Sequence, residues 1–215
     1  MSSAPKLYGL ILAAGASSRM GRDKALLPWP PSAPAGVASG TLLSAAIHAL
    51  KPFTQTVIVV AGQNAASIAP IAAACGAALV LNPAPERGQF SSIQIGLRTA
   101  LGCGCNAVMM TPVDAPPLSL ASLERLRAEF DQALERGLWA VAPASNGRHG
   151  HPLLASRALI DAFLAAPATS NAREVRRAHA ARIEYIPVSD PFVSVDVNTP
   201  QDYAALAEQA SAQMP

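Results

Sequence analysis

Short, unbroken hydrophobic runs alternate with longer segments of helical pattern along most of the chain. Continuous hydrophobicity within a run is typical of strands that are covered on both faces of a sheet. The runs predict strands at residues 8–14, 56–62, 77–83, 107–114 and 139–145. The segments between them are long enough for helices, and several begin with Ser, Thr or Asn, which cap helix N-termini. They predict helices at residues 41–52, 64–75, 91–101 and 119–137.

This alternation predicts right-handed crossovers and an α/β fold with three layers, built on a doubly wound, mostly parallel sheet. The later part of the chain is less regular. It contains strand-like stretches at residues 151–156, 182–188 and 192–198, and a final helix at 199–213 that begins with Thr-Pro. We expect a single domain over residues 1–215, with a proline-rich loop inserted at about 28–40.

Composition narrows the classes of partner. Charged residues make up 14% of the 215 residues and the net charge is +2, whereas general nucleic-acid binding usually needs a strongly basic face. The apolar run near the N-terminus is shorter than the roughly 20 residues of a membrane-spanning helix, and a turn rather than a cleavage site follows it. We therefore predict no nucleic-acid partner, no membrane association and a cytoplasmic location. The Gly-Cys-Gly-Cys stretch at 102–105 lacks the second cysteine pair of a zinc site.

The stretch LAAGASSRMGRDKALLPW, residues 12–29, follows the first predicted strand. Ligands of such sheets bind beyond the carboxyl ends of the strands. The spacing from Gly15 onward fits neither a Walker A loop nor the dinucleotide-binding glycine pattern. What remains is a turn of small residues whose amides can face a phosphate chain, with Arg19 and Lys24 to neutralise it. A plain strand-to-helix turn with solvated cations is the alternative, and composition alone leaves both open.

The full pattern resembles the opening of the MobA-like nucleotidyltransferases, L-A-[AG]-G-x-[SG]-x-R-[ML]-G-x-x-K. The matching positions are Leu12, Ala13, Ala14, Gly15, Ser17, Arg19, Gly21 and Lys24. The Ala-Ala-Gly form followed by LLPW is more similar to the molybdenum-cofactor cytidylyltransferase branch than to the guanylyltransferase branch. The resemblance implies a Rossmann-like fold of the nucleotide-diphospho-sugar transferase type. It also implies that residues 12–15 bind the nucleotide and that Arg19 and Lys24 are catalytic. Gly62 is assigned to the nucleotide site because it directly follows the second predicted strand.

Further segments match the same family in the expected order. NPAPERGQFSSIQIGL implies that Asn82, Ser91 and Ser92 belong to the nucleotide site, although the serines could instead cap a helix. MMTPVDAPPLS and VDVNTPQDY imply that Asp114 and Asp196 bind Mg²⁺, with a turn cap as the alternative role for Asp114.

Two of these segments carry further expectations. In VDVNTPQDY, Asn198 and Asp202 are predicted to cap the last helix. NGRHGHPLLAS resembles an acceptor-side segment and assigns Gly150, His151 and Pro152 to that side without a chemical role, although a lone histidine is more often structural.

The resemblance implies an enzyme that transfers CMP from CTP, or another NTP, to the terminal phosphate of a molybdopterin-type cofactor, with release of pyrophosphate. Handover of the product to molybdoenzymes or their chaperones would follow. An acceptor that is a sugar, polyol or amino-alcohol phosphate is one alternative. An inactive nucleotide-binding regulatory module is another, but the presence of Asp114 and Asp196 argues against it. The loop after Trp29 is longer than in the family and is expected to act as a lid or an oligomer contact beside the site.

Overall fold

The computed structural model describes residues 5–31 and 40–211. An eight-stranded sheet forms its centre, with strand order β10-β7-β9-β6-β1-β4-β5 and β8 paired to β7. Its strands are β1 (Leu7–Leu12), β4 (Val57–Ala61), β5 (Ala78–Leu81), β6 (Ala107–Pro112), β7 (Ala140–Ser145), β8 (Arg148–His149), β9 (Leu153–Ser156) and β10 (Ile183–Pro187). The helices are α1 (Leu42–Leu50), α2 (Ala65–Ala74), α3 (Gln89–Gly102), α4 (Leu120–Glu135), α5 (Arg157–Ala165), α6 (Ala172–Ala178) and α7 (Pro200–Ser211).

The sheet is mostly parallel, as predicted. Strand β1 pairs in parallel with β4 and β6, and β10 pairs in parallel with β7, whereas β9 lies antiparallel between β6 and β7. Side chains of β1 alternate between two hydrophobic clusters, with Ile11 in one and Leu10 and Leu12 in the other. Because helices cover both faces, both sets must be apolar, which explains the unbroken hydrophobic runs of the sequence.

The structure corrects three expectations. Residues 192–198 form no strand, although Val193 and Val197 are buried. The end of the segment lies past the end of β6, where the amide of Val197 donates to the carbonyl of Asp114 at 2.8 Å. Helix α3 begins at Gln89, two residues before the predicted start, because Gly88 provides the N-cap. Helices α5 and α6 add to the predicted set, because the sequence pattern after residue 150 is too irregular to indicate them.

The proline-rich loop lies only partly within the described residues. Its ends form a two-stranded ribbon in which β2 (Pro28–Trp29) pairs antiparallel with β3 (Gly40–Thr41). Residues 32–39, and with them the predicted lid or oligomer contact, lie outside the described residues. Among residues 5–31 and 40–211, no helix has both the length and the apolar character needed to cross a bilayer. The single-domain assignment and the cytoplasmic location stay predictions.

Candidate active site

Two adjoining cavities open where the carboxyl ends of β1 and β6 meet. The smaller, of about 290 Å³, is lined by seven residues that the sequence predicts to belong to the site: Leu12, Ala13, Ala14, Gly15, Lys24, Ser92 and Asp114. The larger, of about 600 Å³, shares the Ala14–Ser17 backbone and extends past Gln63 and Asn64. The loop that resembles a phosphate cradle therefore forms a wall common to both cavities.

Lys24 is the centre of a polar cluster at this edge. Its Nζ donates to Asp114 Oδ2 and to Asn198 Oδ1, both at 2.9 Å. Only 12% of the Lys24 side chain and 25% of the Asp114 side chain is exposed. The loop turns back on itself because the Lys24 amide donates to Ser17 Oγ at 3.2 Å, and Asp23 caps the short 3-10 turn that Lys24 begins. Two residues far apart in sequence, Lys24 and Asp114, are thus brought into direct contact.

Asn198 belongs to this cluster, and its predicted role as a helix cap is wrong. Its Oδ1 accepts hydrogen bonds from Lys24 Nζ and from Arg19 Nη2, the latter at 3.2 Å. Capping falls to Asp202, whose Oδ2 accepts from the amides of Asn198 and Thr199 at 2.9 and 2.8 Å. Asn198 therefore joins the two cations that the sequence predicts to be catalytic.

A second pair that the sequence does not reveal supports the loop from the other side. Asp23 accepts from the Ala25 amide and from Asn64 Nδ2, at 2.9 and 2.7 Å. Asn64 also donates to the Ala13 carbonyl at 2.9 Å and accepts from the Gly62 amide at 3.1 Å. These bonds tie the end of β1 to the end of β4. Neither Asp23 nor Asn64 is a fixed position of a motif quoted above, so only their location after β1 and β4 could have indicated them.

Gly62, predicted to bind the nucleotide, lines neither cavity that the described residues form. A Cβ at this position would lie 2.7 Å from the Ala14 carbonyl oxygen. Real Cβ atoms do not approach a backbone oxygen so closely, so a larger residue would push the loop out of place. The structure explains Gly62 by close backbone packing beneath the loop.

The segment after β5 is ordered by Asn82, which is 1% exposed. Its Nδ2 donates to Ser91 Oγ and Ser92 Oγ at 2.9 Å each, and its Oδ1 accepts from the Ala84 amide. Ser91 also donates to the Gly88 carbonyl at 2.8 Å, so neither serine caps the helix. Of these three residues only Ser92 lines the smaller cavity. Asn82 and Ser91 instead hold the turn that brings Gly88 and Gln89 to its rim.

The two predicted metal ligands influence each other. Partial desolvation, and then the negative charge of Asp114, raise the pKa of the Asp196 carboxyl, while Lys24 lowers it. Within the described part of the chain, no group of three or more His, Cys, Asp and Glu side chains could hold a metal by itself. Mg²⁺ commonly takes one or two carboxylates and completes its shell with phosphate oxygens and water. Asp114 lines the smaller cavity, and Asp196 lines neither cavity but lies within electrostatic range of Asp114, so the two carboxylates fit that donor set.

The predicted acceptor-side residues are packed rather than open. The Gly150 amide donates to the Pro143 carbonyl, and a Cβ on Gly150 would lie 1.7 Å from the Val193 carbonyl oxygen. His151 precedes a cis peptide bond to Pro152. Its Nδ1 is buried without a hydrogen-bond partner among the described residues.

His151 is held neutral at pH 7. Burial, and then the positive charge of Arg176, lower the pKa of His151 to about 4, while the charge of Asp114 opposes the shift. A neutral imidazole can donate from one ring nitrogen and accept at the other. His151 therefore offers a hydrogen-bonding group without a charge beside Asp114.

The chain is similar along most of its length to known nucleotidyltransferases. The chain aligns with the Escherichia coli (strain K12) molybdenum cofactor cytidylyltransferase at 25% identity over 202 residues, which is 93% of this chain and 95% of that protein. It aligns with the Rhodobacter capsulatus molybdenum cofactor guanylyltransferase at 31% identity over 213 residues, which is 93% of this chain and 94% of that protein. Its relatives therefore include both nucleotide specificities.

Solved structures share the fold. A nucleotidyl transferase from Methanothermobacter thermautotrophicus superposes with a TM-score of 0.77 at 22% identity, covering 97% of this chain and 99% of that one. Rv0371c from Mycobacterium tuberculosis, solved in complex with manganese, has a TM-score of 0.68 at 22% identity, covering 94% of this chain and 98% of that one. The model of the MobA-like NTP transferase domain matches residues 9–183. The chain thus belongs to the MobA-like NTP transferase family and is a nucleotidyltransferase.

Proposed function

We propose that this enzyme transfers CMP from CTP to the terminal phosphate of a molybdopterin-type acceptor, with Mg²⁺ as cofactor and pyrophosphate as the second product. The observation that carries the proposal is the contact of Lys24 with Asp114 and Asn198 at the mouth of the smaller cavity. A cation, a carboxylate and a wall of small residues meet there, which is the combination that phosphoryl chemistry requires.

The nucleotide phosphates lie against the backbone of residues 12–15, where a side chain larger than Ala or Gly would hinder approach. A Cβ added to Gly15 would meet no heavy atom within 4 Å, so the small size of this residue serves the open cavity rather than internal packing. Arg19 and Lys24 neutralise the negative charge that develops on the α-phosphate and on the departing pyrophosphate. Asn198 holds both cations in place through one oxygen atom.

Asp114 and Asp196 would hold the Mg²⁺, which would supply positive charge to neutralise the reacting phosphates. In the structure, Lys24 pairs with Asp114. We expect the Lys24 ammonium to exchange this carboxylate for a phosphate when the substrate and its cation bind. Asp114 then becomes available as a ligand.

The reaction needs no covalent intermediate with the protein. An oxygen of the acceptor phosphate attacks the α-phosphorus in line, forming a new P–O bond as the bond to the β-phosphate oxygen breaks. Pyrophosphate carries away the electron pair of the broken bond. The protein contributes by positioning the two phosphates and by neutralising charge, and such positioning can supply several kcal/mol of the barrier reduction.

The choice of CTP rests on the Ala13-Ala14-Gly15 sequence, the LLPW that follows, and the GHPLL segment. The molybdopterin-type acceptor is supported by the names of the relatives, which act in molybdenum cofactor synthesis under both nucleotide specificities. The dinucleotide product would then pass to molybdoenzymes or their chaperones.

Pyrophosphate release tests both choices in one screen. CTP, GTP, UTP and ATP are each incubated with Mg²⁺, the enzyme and either molybdopterin or a panel of sugar, polyol and amino-alcohol phosphates. Reactions without acceptor provide the blank. We expect release only with CTP and molybdopterin together. Preference for GTP would refute the cytidylyl assignment, and turnover of a panel phosphate but not of molybdopterin would refute the acceptor assignment.

A further inference from the structure

Arg176 is a half-buried cation without a partner. Among residues 5–31 and 40–211 its guanidinium takes part in no ion pair, hydrogen bond or ring contact. The nearest acidic residue in sequence, Glu174, accepts instead from Ser170 Oγ and the Asn171 amide. Guanidinium groups that are withdrawn from water are usually paired, and they bind carboxylates or phosphates with two parallel hydrogen bonds. The position therefore lacks an anion.

Topology brings this cation to the edge of the sheet that carries the site. Strand β9 runs antiparallel to β6, so it begins at the edge of the sheet where the cavities open and ends at the opposite edge. Helix α5 follows β9 and returns toward the edge with the cavities. Helix α6 therefore starts near the cavities. Val175 packs in the cluster that contains Leu153 and Phe90, on one face of the sheet, whereas Ala25, next to Lys24, packs in the cluster on the other face. Arg176 and Lys24 thus approach the strand ends from opposite faces.

His151 lies between Arg176 and the predicted metal ligands. The register pairs Met110 with Leu153, which puts His151 level with Pro112, two residues before Asp114. The charges of Arg176 and Asp114 act on its imidazole in opposite directions, so His151 lies within electrostatic range of both groups. Its Nδ1 is buried and lacks a hydrogen-bond partner among the described residues. A cation without a partner and a buried nitrogen atom without a partner therefore lie at the same end of the sheet, near the face where Leu153 and Val175 pack.

We propose that Arg176, with His151 beside it, binds the phosphate of the acceptor across Asp114 from Lys24 and Arg19. This inference rests on the proposed function, which requires a phosphorylated acceptor. In-line attack needs the nucleophile and the leaving pyrophosphate on opposite sides of the α-phosphorus. Cations on opposite sides of Asp114 meet that requirement, with one set for each phosphate group.

The first test compares Arg176→Ala with Arg177→Ala, which removes an exposed cation of the same helix. A single arginine–phosphate contact corresponds to roughly a 10- to 100-fold change in binding. We expect R176A to raise the KM for the acceptor by about that factor, with the nucleotide KM unchanged within about twofold. R177A should behave like the wild type. Arg176→Lys should recover part of the loss, because it restores the charge but not the two parallel hydrogen bonds.

The second test separates this inference from the proposed function. Inorganic phosphate is titrated into the full-length enzyme with Mg²⁺ and a non-reactive analogue of whichever nucleoside triphosphate binds most tightly. The imidazole ¹⁵N signals of His151 are followed by NMR, and thermal melting checks that each variant is folded. We expect saturable shifts in wild type and R177A, weakened at least about tenfold in R176A.

These readouts distinguish the failures. Saturable shifts that depend on Arg176, without turnover of any acceptor, would refute the proposed function and leave the phosphate site standing. Turnover with equal acceptor KM in R176A, R177A and wild type would overturn the site. So would an increase in the nucleotide KM alone, since Arg176 would then serve the other substrate.

Discussion

The two sides of the site are built in opposite ways. On the nucleotide side, Lys24 and Arg19 both donate to Asn198, so their order comes from hydrogen bonds between side chains, and Lys24 lines the smaller cavity. On the acceptor side, Gly150 is pressed against the backbone of Val193, and Nδ1 of the half-buried His151 is withdrawn from water. The first arrangement depends on charge, and the second on packing.

This difference indicates that the nucleotide side mainly affects activity and the acceptor side mainly affects stability. The ion pair at the cavity is partly buried, but a carboxylate left there without its cation can still be hydrated, so the loss of the pair costs less than the separation of packed backbone segments. The charged groups are available instead for a charged substrate. Residues packed between backbone segments add to stability, and they also determine the shape of the site. Substitutions on the nucleotide side should therefore reduce activity without unfolding, and substitutions at Gly150 should do the reverse.

The sharpest way to test the nucleotide side is Lys24→Ala. The variant loses a preorganised cation, which commonly lowers turnover on the order of 10²–10³-fold. Asp114 loses its cation at a position where only 25% of its side-chain surface is exposed, so the free energy of unfolding should fall by about 2 kcal/mol, between the values for exposed and for buried ion pairs. Steady-state pyrophosphate release under saturating Mg²⁺ gives the first value, and urea unfolding gives the second.

Lys51→Ala is the matched control, since its ammonium donates to the Cys75 carbonyl, away from both cavities. We expect wild-type turnover from K51A. If K24A also retained wild-type turnover, the catalytic assignment of Lys24 would be wrong. If K24A failed to fold, the contrast between the two sides would be lost.

The acceptor side is tested by Gly150→Ala paired with Gly15→Ala. At Gly150 the added Cβ would lie 1.7 Å from a backbone oxygen that cannot swing aside, so we expect a loss near the upper end of overpacking costs, about 3 kcal/mol. For a chain of this length that corresponds to a fall in Tm of about 10 °C. At Gly15 the same methyl group meets nothing within 4 Å, so Tm should be unchanged.

Activity supplies the reverse comparison. Because Gly15 lines both cavities, G15A should raise the nucleotide KM while the protein stays folded. Equal melting temperatures for G150A and wild type would contradict the packing role of Gly150. Normal nucleotide KM in G15A would contradict the role of the loop as a phosphate wall.

Lys24, Asp114 and the mostly parallel strands can be predicted because each depends on local pattern. An unbroken apolar run marks a buried strand, and the residues just after it are brought to the ligand-binding edge. Gly62 and Gly150 show the limit of such reasoning. Each is required by a backbone segment distant in sequence, Ala14 for one and Val193 for the other, and no local pattern reports such a contact.

Asn198 shows the same limit for side chains. It stands before a Thr-Pro helix start, where a capping role is locally reasonable, but its partners lie 174 and 179 residues away. The segment 192–198 has the pattern of a strand for a similar reason. Its buried valines imitate a strand, yet Val193 packs in the core cluster that contains Ile11, and Val197 packs in a separate cluster with Met20. The segment pairs with no strand among the described residues.

The smallest expected effect comes from Asn198→Ala, which tests whether positioning of the cations matters apart from their charge. Lys24 and Arg19 remain but lose their common acceptor, so we expect turnover to fall about tenfold, the value of one hydrogen bond to a charged group. Asn198→Asp restores an oxygen acceptor and should retain more activity than N198A. Thr199→Ala is the control, because Thr199 caps α7 through the Asp202 amide and bonds neither cation. Pyrophosphate release, measured as kcat and KM, separates the outcomes. Equal kcat in N198A and T199A would show that the cations hold their positions without Asn198. The hydrogen bonds of Asp114 and Ser17 would then be sufficient to order the nucleotide side.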